Sequence, residues 1–284
     1  LRELGVAEKS IHLERFNTPG GNVKRVAGVQ AEGRTVTIRT LDIGADKADE
    51  TGLALRDEPN PAMGLRGVRL SMARDGLLET QLRAIARAAG YGPVRVLVPM
   101  VSGREEIVAV RRMLDRVQRD LRAEGHGSAE RLALGAMIEV PSAAIALPTF
   151  ARDLDFISVG TNDLVQYLLA VDRNNDALGD LYSPLHPAVI RLLHSVVRVA
   201  RARGMPASVC GEIAGDARFT PLLLALGFEE LSLHPSPLLE VRRAIRGLDI
   251  GHLRARMPAL MRARDRAGIE RWLDRAQPPR TPSV

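Results

Sequence analysis

A chain of 284 residues, 45% hydrophobic and 26% charged, can bury one large core or two small ones, and its composition is that of an ordinary globular protein. The formal charge of +6 would suit a nucleic-acid partner, but only 3% of the residues are aromatic, leaving little to stack on bases. The arginines are interleaved with acids, as in RRMLDRVQRDLRAE at 111–124, and the only lysines are Lys9, Lys24 and Lys47, so no nucleic-acid partner is expected. No apolar run reaches the roughly 18–20 residues that cross a bilayer, so no membrane partner is expected either. No signal-peptide pattern opens the sequence, which makes cytoplasmic residence the expectation. The single cysteine, Cys210, excludes an internal disulfide.

Residues 1–33 carry glycine, asparagine and charges without a clear period, and no convincing first strand appears there. From residue 34 short apolar, β-branched runs alternate with amphipathic ones. Strands are predicted at 35–42 (TVTIRTLD), 94–101 (VRVLVPMV), 132–140 (LALGAMIEV), 156–160 (FISVG), 207–211 (ASVCG) and 230–234 (ELSLH), with a weaker one at 64–72 (GLRGVRLSM). Helices are predicted at 77–90, 103–125, 186–204 and 217–227. A strongly charged helix is expected over 251–275, followed by the proline-rich tail AQPPRTPSV at 276–284.

Near-continuous apolar strands alternating with helices mark a parallel sheet covered on its outer face. Seven such strands, with no GxGxxG after any of them, favour a TIM (β/α)8 barrel, its first strand degenerate or missing, over an open dinucleotide-binding sheet. The expected division is an N-terminal segment 1–33, a barrel 34–250 and a C-terminal helix and tail 251–284.

Polar residues gather where these strands end: Arg39 and Asp42, then Arg66 and Arg69 on the weaker strand, Glu139, Asn162 with Asp163, and Cys210 with Glu212. In a TIM barrel that face carries the active site. Thr161, Asn162 and Asp163, placed where a strand becomes a helix, also fit a plain N-cap. Glu139 and Asp163 are hard oxygen donors in a sparse pair that suits Mg²⁺. Arg39, Arg66, Arg69 and Arg173 offer permanently charged forks for phosphate and carboxylate oxygens. Metal plus arginines, without a serine–histidine pair, points to phosphoryl transfer. Cys210 is then a candidate proton donor, against the plainer role of a small buried hydrophobe.

These residues lie in long motifs. FISVGTNDLVQYLLAVDR (156–173) resembles the signature of the phosphoenolpyruvate-utilising enzymes. TIRTLDIGADK (37–47), NPAMGLRGVRLSM (60–72), VLVPMVSGREEI (96–107), GAMIEVPSAA (135–144) and SVCGEIAGD (208–216) are similar to the C-terminal domain of Enzyme I of the bacterial phosphotransferase system. LYSPLHPAVIRLL and AVDRNN lean towards its nitrogen-branch form. The resemblance covers about residues 34–247. It implies a TIM barrel that binds phosphoenolpyruvate and Mg²⁺, releases pyruvate and forms homodimers. The phosphoryl group would pass to a histidine on a separate domain and on to the carrier HPr. By motif position, Glu139 and Asp163 should ligate Mg²⁺, Arg39, Asn162, Asp163 and Arg173 should hold the substrate with Arg69 near its phosphate, and Cys210 should protonate the enolpyruvate methylene. Lys47 and Glu212 match family positions without an assigned role.

Two family features are not found in the sequence. The arginine–threonine–glutamate segment that ends the first barrel strand has only LERFN (13–17) as a poor counterpart, and no histidine stands in an SHxAI-like context. His186 and His234, each before a proline, read as element-boundary residues. The expectation is therefore a phosphoenolpyruvate-binding barrel apart from its phosphohistidine domain. Pyruvate phosphate dikinase, phosphoenolpyruvate synthase and a non-catalytic dimerisation remnant are the alternative readings.

Overall fold

The computed structural model describes residues 34–43, 58–126 and 129–277. The N-terminal segment 1–33, Lys47 and the tail beyond Gln277 lie outside them. Strand order in the sheet follows chain order, β1 through β6, and the ladders β1–β2, β2–β3 and β5–β6 are parallel. The chain is an α/β protein of TIM-barrel type. It divides into two compact units. The first holds the described residues through Ile138 with Arg152–Ile157, and the second holds Glu139–Ala151 and the described residues from Ser158 onward.

In the first unit β1 (Val36–Arg39) pairs with β2 (Val94–Val98), aligning Val36 with Val94 and Arg39 with Leu97. β2 pairs with β3 (Ala133–Ile138), aligning Arg95 with Ala133 and Val98 with Ala136. Strands buried on both faces need apolar residues throughout, and Val96, Leu97, Val98, Leu134, Ala136, Met137 and Ile138 are all buried. Arg95 stays among them because Thr37 Oγ1 accepts its Nε–H at 2.7 Å and its guanidinium lies 4.0 Å over the Phe156 ring. Gly135 makes room for that ring, since a Cβ there would sit 2.5 Å from it.

Helices α1 (Gly67–Ala73), α2 (Leu77–Ala88) and α3 (Arg104–Ala123) complete the first unit. The start of α3 is held by Glu106, whose carboxylate accepts from the backbone N–H groups of Ser102 and Gly103. α2 packs on α3 through Leu78, Leu82 and Ile85, with Ile107, Val110, Leu114 and Val117 on the α3 side buried. Arg83–Glu124 and Arg116–Glu79 close the exposed edge of that pair. Asp155 accepts from the Leu134 N–H and from Arg111 and Arg131. Burial raises its pKa, but that backbone bond and the two guanidinium groups outweigh it, so the net shift is downward.

The weak strand predicted at 64–72 is a correction: this stretch is α1, with Arg66 as its N-cap and Arg69 inside it. Val68, Leu70 and Met72 alternate like strand residues, yet Gly67, Val68, Leu70 and Ser71 are the buried set, and 67 with 70 and 71, and 68 with 71, fall at the three- and four-residue spacing of one helix face.

In the second unit, α4 (Pro141–Phe150) packs on α6 (Pro187–Ala202), and α5 (Thr161–Leu169) follows β4 (Phe156–Gly160) directly. His186 caps α6 by accepting the Ala188 N–H on Nδ1, a boundary role. β5 (Ala207–Cys210) leads into the single-turn α7 (Glu212–Gly215) and the fully buried α8 (Thr220–Leu226), and β6 (Glu230–Leu231) pairs back onto β5. The long helix predicted at 251–275 is corrected to three: α10 (Ile250–Ala255), α11 (Met257–Met261) and α12 (Arg266–Ala276), preceded by α9 (Leu238–Arg246). Pro258 in the first turn of α11 cannot continue α10, and Asp265 caps α12 by accepting the Gly268 N–H. Trp272 turns inward and donates its indole N–H to the Arg256 carbonyl.

Candidate active site

The predicted site residues fall into two groups, one in each unit. In the first unit Arg39 ends β1. Its Nη1 lies 3.4 Å from Asp42 Oδ2 and 3.8 Å from the sulfur of Met137 on β3. Asp42 also receives Arg66, whose Nε and Nη2 reach its oxygens at 3.1–3.3 Å. Arg69 is apart from this pair: it donates to Ser102 Oγ at 2.8 Å and to the Met63 carbonyl.

The second unit holds Glu139, Asn162, Asp163, Arg173 and Cys210. Glu139 follows β3 directly and is only 1% exposed. Asn162 and Asp163 occupy the first turn of α5. The N-cap of that helix is Gly160, and no side chain caps it. Asn162 and Asp163 stand inside the helix, behind Gly160, so the plain N-cap role does not apply to them. Asp163 is buried, and its Oδ1 lies 3.6 Å from Arg173 Nη1, a side chain 35% exposed. Asn162 reaches Glu212, fifty residues on, by two bonds: its Nδ2 donates to Glu212 Oε1 at 3.3 Å, and its Oδ1 accepts the Glu212 N–H at 3.1 Å.

Cys210 ends β5 and is 4% exposed. Its thiol donates to the Val159 carbonyl at 3.3 Å and accepts from the Ser158 hydroxyl at 3.6 Å, both on β4. Thr161 Oγ1 donates to the Cys210 carbonyl at 2.7 Å, tying the start of α5 to the end of β5. Between Cys210 and Glu212 stands Gly211 with φ +100°, and a Cβ there would strike Thr161 Oγ1 and come within 2.8 Å of Asn162 Oδ1. Only glycine allows both the dihedral and the approach.

Tyr182 is a site residue that the sequence did not single out. Its hydroxyl donates to the Asn162 carbonyl at 3.1 Å. Burial, opposed by Arg173 and reinforced by Glu212 and Asp163, pushes its pKa up to about 12, so it stays a neutral donor. Asn162, Tyr182, Glu212 and Asp216, with Phe219, line a cavity of about 250 Å³.

Among the described residues, no three His, Cys, Asp or Glu side chains form a ready-made metal cage. Glu139 and Asp163, both buried in the second unit, carry hard oxygen, the donor chemistry of Mg²⁺, an ion that keeps water and substrate oxygens in its octahedron. Nor is any helix among the described residues long and apolar enough to cross a membrane.

Fold and residues together define a barrel-type α/β protein with an acidic, amide- and thiol-bearing cluster following its strands. The family model for the phosphoenolpyruvate-binding domain of phosphoenolpyruvate-utilising enzymes matches residues 22–250, and the chain belongs to that family. It is 45% identical over 233 residues to a phosphoenolpyruvate-protein phosphotransferase of Cupriavidus necator, covering 82% of this chain and 39% of that protein. A protein of the same name from Lactococcus lactis subsp. cremoris is 42% identical over 219 residues, covering 76% and 38%. The chain thus spans about two fifths of the length of these relatives. Among solved structures it is similar to a citrate lyase of Burkholderia xenovorans (17% identity, TM-score 0.50, 89% of this chain and 77% of that one). It is also similar to a lead(II) complex of Haloferax volcanii malate synthase (18%, TM-score 0.51, 77% and 56%). At such identities these two likenesses speak for the fold alone.

Proposed function

We propose that this chain is the phosphoenolpyruvate-binding part of a phosphoenolpyruvate-protein phosphotransferase. It would pass the phosphoryl group to a histidine of a separate domain and thence to an HPr-like carrier. The observation that carries the reading is the first turn of α5. Asn162 and Asp163 leave their own helix uncapped and turn their side chains to Glu212 and Arg173, in the unit that also holds Glu139 and Cys210. Standing at the second and third helical positions behind Gly160, neither residue is placed as the N-cap, so their contacts to Glu212 and Arg173 are what account for them.

In this proposal Glu139 and Asp163 hold Mg²⁺, which when bound supplies charge neutralisation for the phosphate and enolate oxygens. Asn162 donates an amide proton to the substrate without adding charge, and Arg173 supplies a guanidinium to the phosphate. Arg39 and Arg69 are assigned to the same substrate on the strength of their motifs alone. Transfer breaks the bond between phosphorus and the enol oxygen and forms one between phosphorus and the acceptor imidazole nitrogen. The pyruvate enolate left behind takes a proton at its methylene carbon from Cys210 Sγ. The contact of Cys210 Sγ with the Val159 carbonyl supports a protonated thiol as that donor, and the Ser158 hydroxyl would stabilise the thiolate left behind. Homodimerisation, cytoplasmic residence and the nitrogen branch belong to the same proposal, supported by the family resemblance.

Isothermal titration calorimetry of the chain with phosphoenolpyruvate, with and without Mg²⁺, tests the reading. Metal-dependent binding at submillimolar to millimolar ligand is expected. No binding at millimolar phosphoenolpyruvate with Glu139 and Asp163 intact overturns it. Transfer to an added phosphohistidine domain, followed by pyruvate release, tests the catalytic half.

A further inference from the structure

A primary amide can meet an anion productively in only one of its two orientations. Turned the other way, it aims a carbonyl oxygen at the ligand's negative charge. The side chain of Asn162 is held in one orientation at both ends by a single residue. The Glu212 backbone N–H can bond only to the oxygen Oδ1, and the Glu212 carboxylate can bond only to the nitrogen Nδ2. The two contacts therefore agree on where oxygen and nitrogen lie, and a flip would break both. The main chain of Asn162 is anchored separately by the Tyr182 hydroxyl, and Gly211 leaves space for the amide to lie against the turn. Nδ2 carries two hydrogens, and Glu212 takes one. The other is left for a ligand.

We infer that Glu212 is a positioning residue. It orients the Asn162 amide so that its remaining N–H faces the anionic substrate. This rests on the reading of Asn162 as a substrate contact given above. The negative charge of Glu212 is otherwise out of place beside a trianionic ligand, and its two-point hold on Asn162 accounts for it. What the role requires of the side chain is an acceptor oxygen at Oε1, not a charge. Glutamine offers that oxygen and alanine does not.

The test is a double-mutant cycle on phosphoenolpyruvate binding in the presence of Mg²⁺, read by calorimetry on the whole chain. Asn162→Ala is expected to weaken binding at least tenfold, and Glu212→Ala about fivefold, since the backbone N–H survives in that variant. The double variant should be no weaker than Asn162→Ala alone, because Glu212 acts only through the amide. Glu212→Gln should restore binding to within about twofold of the parent. If the two single losses multiply, Glu212 acts on its own and the inference fails. If Asn162→Ala binds normally, the substrate-contact reading fails first. The hold itself is read without any ligand. The Asn162 side-chain NH₂ resonances in a ¹H–¹⁵N spectrum should shift and exchange faster with solvent in Glu212→Ala, and return towards the parent in Glu212→Gln. Unchanged resonances in Glu212→Ala overturn the inference whatever phosphoenolpyruvate does.

Discussion

The arginine group of the first unit and the acidic group of the second treat buried charge in opposite ways. Around Arg39 the positive charges come with their own counter-ion: Asp42 is shared by Arg39 and Arg66, and all three side chains are mostly buried. Around Asp163 the buried charge is negative. Glu139 and Asp163 lie below the surface, and the contact of Asp163 with the Arg173 guanidinium is long and partly in water. In the first arrangement the arginines bring a built-in counter-ion, which a bound anion would have to share. The second sets two buried carboxylates in one unit, hard-oxygen side chains of the type that the proposed Mg²⁺ would take. The contrast teaches that arginine content alone does not mark where chemistry happens, since an arginine held by its own aspartate is already half spent.

The sharpest way to break this contrast is to remove the thiol from the acidic group. Cys210→Ala should retain phosphoenolpyruvate binding to within about threefold. Pyruvate release in single turnover, with a phosphohistidine domain added, should slow by about a hundred- to a thousandfold, the usual worth of a positioned general acid. Turnover within a few fold of the parent would reduce Cys210 to a buried packing residue.

Next comes the counter-ion of the arginine group. Asp42→Asn keeps the shape but leaves Arg39 and Arg66 buried beside a neutral amide. The expected loss is about 3 kcal/mol of folding stability, as for other broken buried pairs, visible as a lower urea midpoint. A loss no larger than about 0.5 kcal/mol would mean that this network is as weak as an exposed ion pair, and the contrast between the units would fail on that side.

A glycine sharpens the comparison from within the acidic group. Gly211→Ala must place a Cβ at φ +100° against Thr161 and Asn162. The backbone strain alone costs about 2 kcal/mol, and the Asn162 amide must move. Thermal unfolding and phosphoenolpyruvate affinity should therefore fall together. A variant that is less stable but binds normally would separate the amide's placement from its function.

Much of this was legible in the sequence, and the reason is local. The strands at 94–98, 133–138 and 156–160 announce themselves because burial on both faces demands unbroken apolar runs, and Glu139, Asn162, Asp163 and Cys210 stand out as polar residues where such runs stop. What escaped depends on distant partners. The stretch around Arg69 alternates like a strand, and only its packing shows it to be helix α1. The C-terminal helix broke at Pro258 and Asp265, two local signals outweighed by the charge pattern. Tyr182 sits in a loop where nothing nearby marks it, because its meaning lies in one bond to a carbonyl twenty residues back. The hold of Glu212 on Asn162 is invisible for the same reason.

Tyr182 also gives the smallest effect, and its sign can be worked out. Its folded pKa, about 12, lies above the ordinary value of 10.0, so the unfolded chain loses the phenolic proton first. The contribution of Tyr182 to stability is therefore whole below pH 10 and is lost progressively as pH climbs towards 12. Tyr182→Phe should cost about 1 kcal/mol near neutrality, the worth of one hydrogen bond to the Asn162 carbonyl. Its stability should then fall less steeply than the parent's above pH 10, so the gap between the two narrows as the solution becomes alkaline. Denaturant titrations at a series of pH values measure that gap. A gap that stays constant or widens would mean that the phenol ionises freely in the folded chain, and that water reaches Tyr182 closely enough to cancel the burial that raises its pKa.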